Sequence, residues 1–335
     1  MPCYHPIDGF ICQDGKFRVW PRESMRLRKQ TIPCGQCVGC RLERSRQWAI
    51  RCLHEASLYK HNCFITLTYK PELLPIDNSL DYTHFQEFMK RLRESQVGCD
   101  LVSHPSAGEI NNKTGKPYPD FYKPIRFYMC GEYGKNRGRP HFHACLFNFD
   151  FFDKTFWRKT PQGHPIWRSK ILEDLWPYGF SEIGSVSFQS AAYVARYIMK
   201  KANGAAADDV YSWTDPVTGE VFDRTPEFTK MSLKPGIAEG WLRKYMTDVF
   251  PHDYVVVNGK RCKPPRYYDR LFERYCNEHS WREIAELYGE SDFDDVKFQR
   301  ELNAMEHLED ATPERLYTRE LVVKDKLSRL KRSLL

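Results

Sequence analysis

Two groups of side chains in this sequence have the types and spacing for phosphate chemistry. The first is His141-Phe142-His143. On a strand, residues two apart point to the same side, so both imidazoles project together while Phe142 turns into the core. Glu132 closes the preceding apolar run, and an antiparallel return through the intervening turn would bring its carboxylate beside the histidines. Two imidazoles and a carboxylate with positions left open suit a catalytic ion, because the open positions can take phosphate oxygens and water. Phosphoryl chemistry favours Mg2+ or Mn2+, although zinc is compatible with the same ligands. The plain alternative is a strand pair and a loop carboxylate without an ion.

The second group is the run Tyr193-Val194-Ala195-Arg196-Tyr197-Ile198-Met199-Lys200-Lys201. A helical advance of about 100° per residue puts Tyr193, Arg196, Tyr197 and Lys200 on one face. Ala191, Ala192, Ala195, Ile198 and Met199 fall opposite, so the tyrosines are not needed for the apolar stripe. A phenol ordinarily ionises near pH ~10 and is a weak nucleophile, and Lys200, Lys201, Arg196 or the field of a metal would favour the phenolate. A phosphodiester cut by covalent catalysis requires that activation. Arg137 and Arg139, just before the His-x-His strand, are candidate grips for flanking phosphates, as are Arg196 and Lys201.

The elements that must position these residues follow from pattern. Residues 62–69, NCFITLTY, are short, β-branched and aromatic, and predict a strand. Residues 123–131 and 141–149 predict an antiparallel pair, with Pro140 tolerated at the first position of the second strand. Residues 41–60 predict an amphipathic helix whose polar face carries Arg44, Arg46 and Arg51. Thr83-His84-Phe85-Gln86 reads as a capping-box start to a helix ending near residue 94, and residues 96–124 as a loop or hairpin excursion. Residues 187–201 predict a helix that Ser187 or Ser190 can cap and Asn203-Gly204 can end. Beyond Gly204 the chain turns irregular, then predicts a helix at 238–249, a hairpin turning at Asn258-Gly259, and charge-rich helices to the end. Tyr128, Tyr133 and Phe147 lie near the expected cleft and are stacking candidates, with core packing the stronger reading for each.

Cys34, Cys37 and Cys40 are spaced closely enough for their thiolates to converge on one ion, with Cys3 a fourth ligand and Cys12 or His5 substitutes. Structural Zn2+ fits; reduced, buried cysteines in a turn are the alternative. Cys52, Cys63, Cys130 and Cys145 fall inside predicted elements and read as small core residues. Twelve cysteines in a chain of 335 residues, unevenly spaced, argue against a disulfide scaffold. Apolar content of 41% with 28% charged residues is globular composition, and no apolar run approaches the roughly 20 residues of a membrane span. The N-terminus lacks the basic start and apolar core of a secretory signal, so a cytoplasmic location is expected. A net charge of +7 favours polyanionic partners without identifying one.

FITLTY, then GRPHFHACLF, then YVARYIMKK resemble, in sequence and order, the three motifs of HUH-superfamily rolling-circle replication initiators, and the paired tyrosines resemble the two-tyrosine branch. PCGQCVGCRLERSRQWAIRC, KPGIAEGW and PPRYYDR resemble blocks in the initiators of microviruses, small single-stranded DNA phages, especially the gokushovirus group. The resemblance covers residues 3 to about 270. It implies His141 and His143 as metal ligands, Glu132 as the third, Tyr193 and Tyr197 as nucleophiles and Lys200 as an electrostatic helper. It further implies a 5′-phosphotyrosine intermediate, a 3′-hydroxyl left for a polymerase, and rejoining of ends into a circle. The fold expected is α+β: a central antiparallel sheet with flanking helices, HUH endonuclease-like, plus an N-terminal Cys-rich zinc knuckle and a helical C-terminal region. The expected division is 1–45, 46–204 and 205–335. Expected partners are single-stranded DNA at a replication origin and a host helicase and polymerase, in the host bacterial cytoplasm, with no membrane. Rival readings are an origin-binding protein without catalysis, a metal-dependent nuclease using water, and a zinc-knuckle RNA-binding protein.

Overall fold

The computed structural model describes residues 3–75, 77–95, 102–103, 108–110, 115–117, 121–122, 124–134, 138–196, 211–215, 218–288, 293–306 and 308–329. They pack as two compact units, one of residues 1–47 with 247–332 and one of 48–246. The larger unit is built on a seven-stranded antiparallel sheet. Its strands in chain order are β4 (Asn62–Tyr69), β7 (Arg126–Tyr133), β8 (Pro140–Phe147), β9 (Thr155–Lys159), β10 (Pro165–Arg168), β11 (Gly179–Gly184) and β14 (Phe228–Met231). Their spatial order is β14-β7-β8-β4-β11-β10-β9. Short pairs stand outside this sheet: β5 (Val102–Ser103) with β6 (Phe121–Tyr122), and β12 (Ser212–Thr214) with β13 (Val221–Asp223).

The central strands are largely buried on both faces, one apolar and the other carrying polar side chains as well. β4 is buried along nearly its whole length, with Ile65, Leu67 and Tyr69 in the core and Thr66 and Thr68 alternating with them on the other face. Ile65, Leu67, Phe142, Ala144, Leu146 and Met129 turn to one face, the core face, where helix α2 (Tyr82–Ser95) buries Phe85, Phe88, Met89 and Leu92 against them. Each large side chain so buried contributes roughly 1.5–3 kcal/mol. Helix α3 (Lys170–Leu175), capped by the Ser169 hydroxyl accepting from the Leu172 N–H, adds Leu172 to the same core. The opposite face carries His141 and His143; there helix α4 (Phe188–Arg196) buries Ala191, Val194 and Ala195, and Trp48 of α1 (Val38–Ala56) stacks on Tyr128 with ring centroids 4.6 Å apart. Gly179 admits β11 beside β4, since a Cβ there would lie 2.2 Å from the Thr68 carbonyl oxygen.

The smaller unit holds a three-stranded antiparallel sheet, β1 (Ile7–Cys12), β2 (Phe17–Arg18) and β3 (Arg26–Ile32). It also holds a hairpin of β15 (Val255–Val257) and β16 (Lys260–Cys262), turning at Asn258 and Gly259 with φ of 50° and 73°. Helix α5 (Glu239–Val249) leads from the larger unit, and α6 (Arg266–Glu278), α7 (Trp281–Tyr288), α8 (Phe293–Glu306) and α9 (Pro313–Arg329) make the C-terminal region helical. Arg300 of α8 binds Asp269 of α6 and Asp253 together, fixing that packing. No helix among the described residues is long and apolar enough to cross a membrane.

Several expectations need correction. α1 begins at Val38 and stops at Ala56, where the Asn62 side chain donates to the carbonyls of Ala56 and Tyr59 and ends the helix. Arg51 does not lie on a polar face: it is buried over Trp48 and donates to the Ile237 carbonyl. α2 is capped by Asp81, which accepts from the Thr83 N–H and hydroxyl, so Thr83 is inside the helix and not its cap. β1, β2 and β3, like β9, β10, β11 and β14, occupy stretches to which pattern assigns no element. β3 is mostly exposed and polar, so no two-residue alternation announced it.

Candidate metal centre

Register places the site. Glu132 of β7 and Thr68 of β4 both stand directly opposite His141, while His143 stands between Cys130 and Thr66. Directly opposed residues share a face, so Glu132 and the two histidines meet by strand pairing alone. His141 Nε2 lies 2.6 Å and His143 Nε2 2.9 Å from the same oxygen, Glu132 Oε1. His143 and Glu132 are buried and His141 is mostly so. Burial opposes the charge of Glu132, but hydrogen bonding and the charge of the two imidazoles overcome it and hold the carboxyl down to about 2.

Both histidines are oriented from behind. His141 Nδ1 donates to the Arg139 carbonyl at 3.1 Å, and His143 Nδ1 is 2.9 Å from the Thr66 hydroxyl. A carbonyl only accepts, so His141 carries a proton on Nδ1 and its neutral form turns a bare Nε2 lone pair toward a carboxylate oxygen. Two acceptors at 2.6 Å need a proton or a cation between them. The three ligand atoms lie within 4.8 Å of one another, so the donor set fits a divalent ion. Thr66 was not singled out in the sequence, yet its signal was there: a hydroxyl in the strand expected to pair with the His-x-His strand.

The Ser187 hydroxyl accepts from the Ser190 N–H and the Ser190 hydroxyl from the Ser187 N–H, a reciprocal cap that starts α4. One turn later Tyr193 meets the centre: its hydroxyl donates to Glu132 Oε1 over 3.3 Å, and its ring stands edge-on to His143, centroids 5.1 Å apart. Tyr197, Lys200, Lys201 and Arg137 lie outside the described residues, as does the side chain of Arg196. Arg139 donates to the Tyr69 carbonyl at 3.3 Å. Tyr128 and Phe147 are fully buried, and Tyr133 is tied by its hydroxyl to Thr225 and Leu80, so none of the three is a stacking platform.

A second cluster lies in the smaller unit. The sulfurs of Cys3, Cys34, Cys37 and Cys40 lie within 4.8 Å of one another. Backbone N–H groups of Tyr4 and Cys40 donate to Cys37 Sγ at 3.3 and 3.5 Å, and that of Cys37 to Cys34 Sγ at 3.3 Å. Burial pushes the Cys37 thiol up, but these donors and the neighbouring thiols draw it down to about 6. Cys12 is buried outside the cluster and His5 sits 2.9 Å from Glu320, so neither is needed as a substitute ligand. Cys52, Cys63, Cys130 and Cys145 are buried core residues.

Residues 62–202, the segment holding β4, β7, β8 and α4, match the family described as Replication-associated protein ORF2/G2P. Replication-associated protein VP4 of Bdellovibrio phage phiMH2K is 33% identical over 277 residues, 82% of this chain and 78% of the relative. The chain belongs to this replication-associated family. It is a Rep-like protein of the HUH superfamily, related to phage replication proteins. Replication-associated protein ORF2 of Spiroplasma virus 4 is 29% identical over 81% of this chain and 77% of its own length. For replication-associated protein ORF4 of Chlamydia phage 1 the identity is 27% over 74% of this chain and 55% of the relative. No solved structure matches the chain. The family match encloses Glu132, His141, His143 and Tyr193, so the candidate centre lies in the part of the chain that carries the kinship.

Proposed function

We propose that this chain initiates rolling-circle replication by nicking single-stranded DNA at an origin through Tyr193 or Tyr197, and that it rejoins ends to close a circle. The observation that carries the reading is the meeting of three groups on one oxygen: Glu132 Oε1 faces both imidazoles and accepts from the Tyr193 hydroxyl at 3.3 Å. A phenol on a helix beside a His, His, carboxylate set is what tyrosine attack at a metal-bound phosphate needs. Kinship with the phage replication-associated proteins supports the same reaction, and the gokushovirus-like blocks support a small phage genome as the DNA.

In the proposed step the Tyr193 oxygen attacks phosphorus. The Tyr O–P bond forms as the P–O3′ bond breaks, leaving a 5′-phosphotyrosine and a 3′-hydroxyl on which the phenol's proton ends. Joining reverses this with another 3′-hydroxyl as nucleophile, so the phosphodiester bond is conserved and no nucleotide is consumed. His141 Nε2, His143 Nε2 and Glu132 would hold Mg2+ or Mn2+, which when bound supplies Lewis-acid polarisation of the scissile phosphate. The Arg139 carbonyl and the Thr66 hydroxyl keep both imidazoles turned with Nε2 inward. Tyr197 is the proposed second nucleophile, Lys200 an electrostatic helper, and Arg137, Arg139, Arg196 and Lys201 proposed phosphate contacts. Cys3, Cys34, Cys37 and Cys40 are the proposed structural Zn2+ ligands. A host helicase and polymerase in the bacterial cytoplasm are the proposed partners.

The test is a single-stranded origin oligonucleotide incubated with protein and Mn2+ or Mg2+, followed by denaturing electrophoresis and peptide mapping. A metal-dependent adduct on Tyr193 or Tyr197 is expected. The double change Tyr193→Phe with Tyr197→Phe abolishes it, while either single change keeps some nicking and impairs closure. Cleavage without an adduct would mean activated water; binding without cleavage would mean an initiator that only marks the origin.

A further inference from the structure

The sheet face that carries the metal centre continues past it. Successive directly paired residues run Glu132 (β7), His141 (β8), Thr68 (β4) and Phe180 (β11), one row of same-face side chains. α4 and the second half of α1 cover the β7–β8 end of this face; among the described residues nothing comparable covers the β11–β9 end. Phe180 is 49% exposed there, although it sits in the body of a strand. Lys70 Nζ stands 5.9 Å over its ring. Further toward the edge, at the irregularity where β9 and β10 shift register, Trp157 is 55% exposed beneath the Arg168 guanidinium, which is itself paired with Glu173 at 2.7 Å. One row further along the same face, both carboxylate oxygens of Glu182 accept from Arg158 Nη2 at 3.0 Å, so that acid is paired.

We infer that Phe180, with Lys70, is a base-stacking subsite for an unpaired nucleotide beside the scissile phosphate, and that the Trp157 ring continues it toward the sheet edge. The inference rests on the nicking reading above. Two strand spacings separate Phe180 from His141, a span of roughly 10 Å, so a base on Phe180 belongs to a nucleotide close to the one being cut. Aromatic rings joined by cations are the pattern that holds single strands: the ring takes the base and the cation the phosphate. An apolar partner would gain nothing from the Lys70 cation. Duplex DNA would leave the rings idle, because its bases are stacked on one another. Single-stranded DNA uses both.

The full-length protein is titrated with fluorescein-labelled oligothymidylate, which needs no origin sequence, and photocrosslinked to the same oligonucleotide carrying 5-iododeoxyuridine. Phe180→Ala is expected to weaken binding about tenfold, the loss usual for one stacked base, with Phe180→Trp restoring it. The crosslink is expected on Phe180 or Trp157. Because Phe180 is half exposed, its truncation leaves the core packed, which circular dichroism verifies. Unchanged affinity in Phe180→Ala, or a crosslink confined to other elements, overturns the inference. So does a change in oligomeric state without a change in DNA affinity, which would make the patch a contact between copies. Adduct formation by the wild-type protein reports on the nicking reading separately, so the two can fail independently.

Discussion

His141 commits its Nδ1 proton to a backbone carbonyl, whereas His143 relies on a side chain, the Thr66 hydroxyl, for the same service. The second arrangement is open to mutation. Thr66→Val keeps the shape of the β4 strand but frees the His143 ring to turn and removes the group that fixes its tautomer. Metal affinity is expected to fall about 10–100-fold, as for other lost partners of metal-bound histidines. Calorimetric titration of the protein with Mn2+ measures it; an unchanged affinity would show that packing against Phe64, stacked 5.7 Å from the ring, is enough. At this scale the chemistry was legible because the His-x-His spacing and strand alternation already put both rings on one side. The tautomers were not, since they depend on Thr66 and the Arg139 carbonyl, reached only through cross-strand register and a turn.

Elements are held by groups that pattern alone could not assign. Glu55 of α1 and Arg126 of β7 form a buried ion pair; Arg126 also donates to the Pro235 carbonyl at 2.8 Å and Glu55 accepts from the Ala238 N–H at 2.6 Å. This network gives the KPGIAEGW block a physical role: its backbone supplies the polar partners that the buried pair requires. Glu55→Ala strands the Arg126 guanidinium in the core and is expected to cost about 3–5 kcal/mol, read as a lower urea midpoint. A loss under about 1 kcal/mol would mean that water replaces the carboxylate. On the same helix His54 is buried and stacked on Trp241, ring centroids 3.6 Å apart, and burial pushes its pKa down to about 4. The unfolded chain takes up a proton near pH ~6.5 while the fold resists it, so stability is full above that pH and declines until pH falls through 4. The expected loss is about 3 kcal/mol, and His54→Phe removes that part of the acid slope. Urea unfolding at pH 7 and 4.5 compares the two; equal slopes would refute the assignment. β4 was readable to the residue because a short β-branched and aromatic run closed by Pro71 marks a strand. β9 was not, because an exposed edge strand with charged and aromatic residues carries no alternation.

Across the whole molecule, the large unit carries its own apolar core, whereas the N-terminal segment of the small one is short on apolar material. β3 is exposed along most of its length and β1 is buried at only two of its six positions, Gly9 and Cys12. Such a segment needs a fastener, and four sulfurs within 4.8 Å of one another at the start of α1 have the chemistry of one. The Cys spacing made this cluster readable, Cys3 as fourth member included; the pairing of β3 beside β1 that leads the chain from Cys3 to Cys34 was not, since an exposed polar strand carries no alternation. With Cys37 drawn down to about 6, one ligand is already a thiolate near neutral pH, and its sulfur accepts the backbone N–H bonds common around bound zinc. Purified protein is therefore expected to hold one zinc per chain by inductively coupled plasma mass spectrometry, and Cys37→Ser to hold less. Since each kcal/mol moves the Tm of a domain this size by about 2–4 °C, loss of a structural ion should lower Tm by roughly 10 °C or more. The same fall should follow a strong chelator and be reversed by added zinc but not by Mg2+, which thiolates bind poorly. Wild-type protein free of zinc, with a Tm indifferent to chelator, would instead make these four cysteines reduced packing residues. The N-terminal segment would then have to be held by contacts such as His5 with Glu320 of α9.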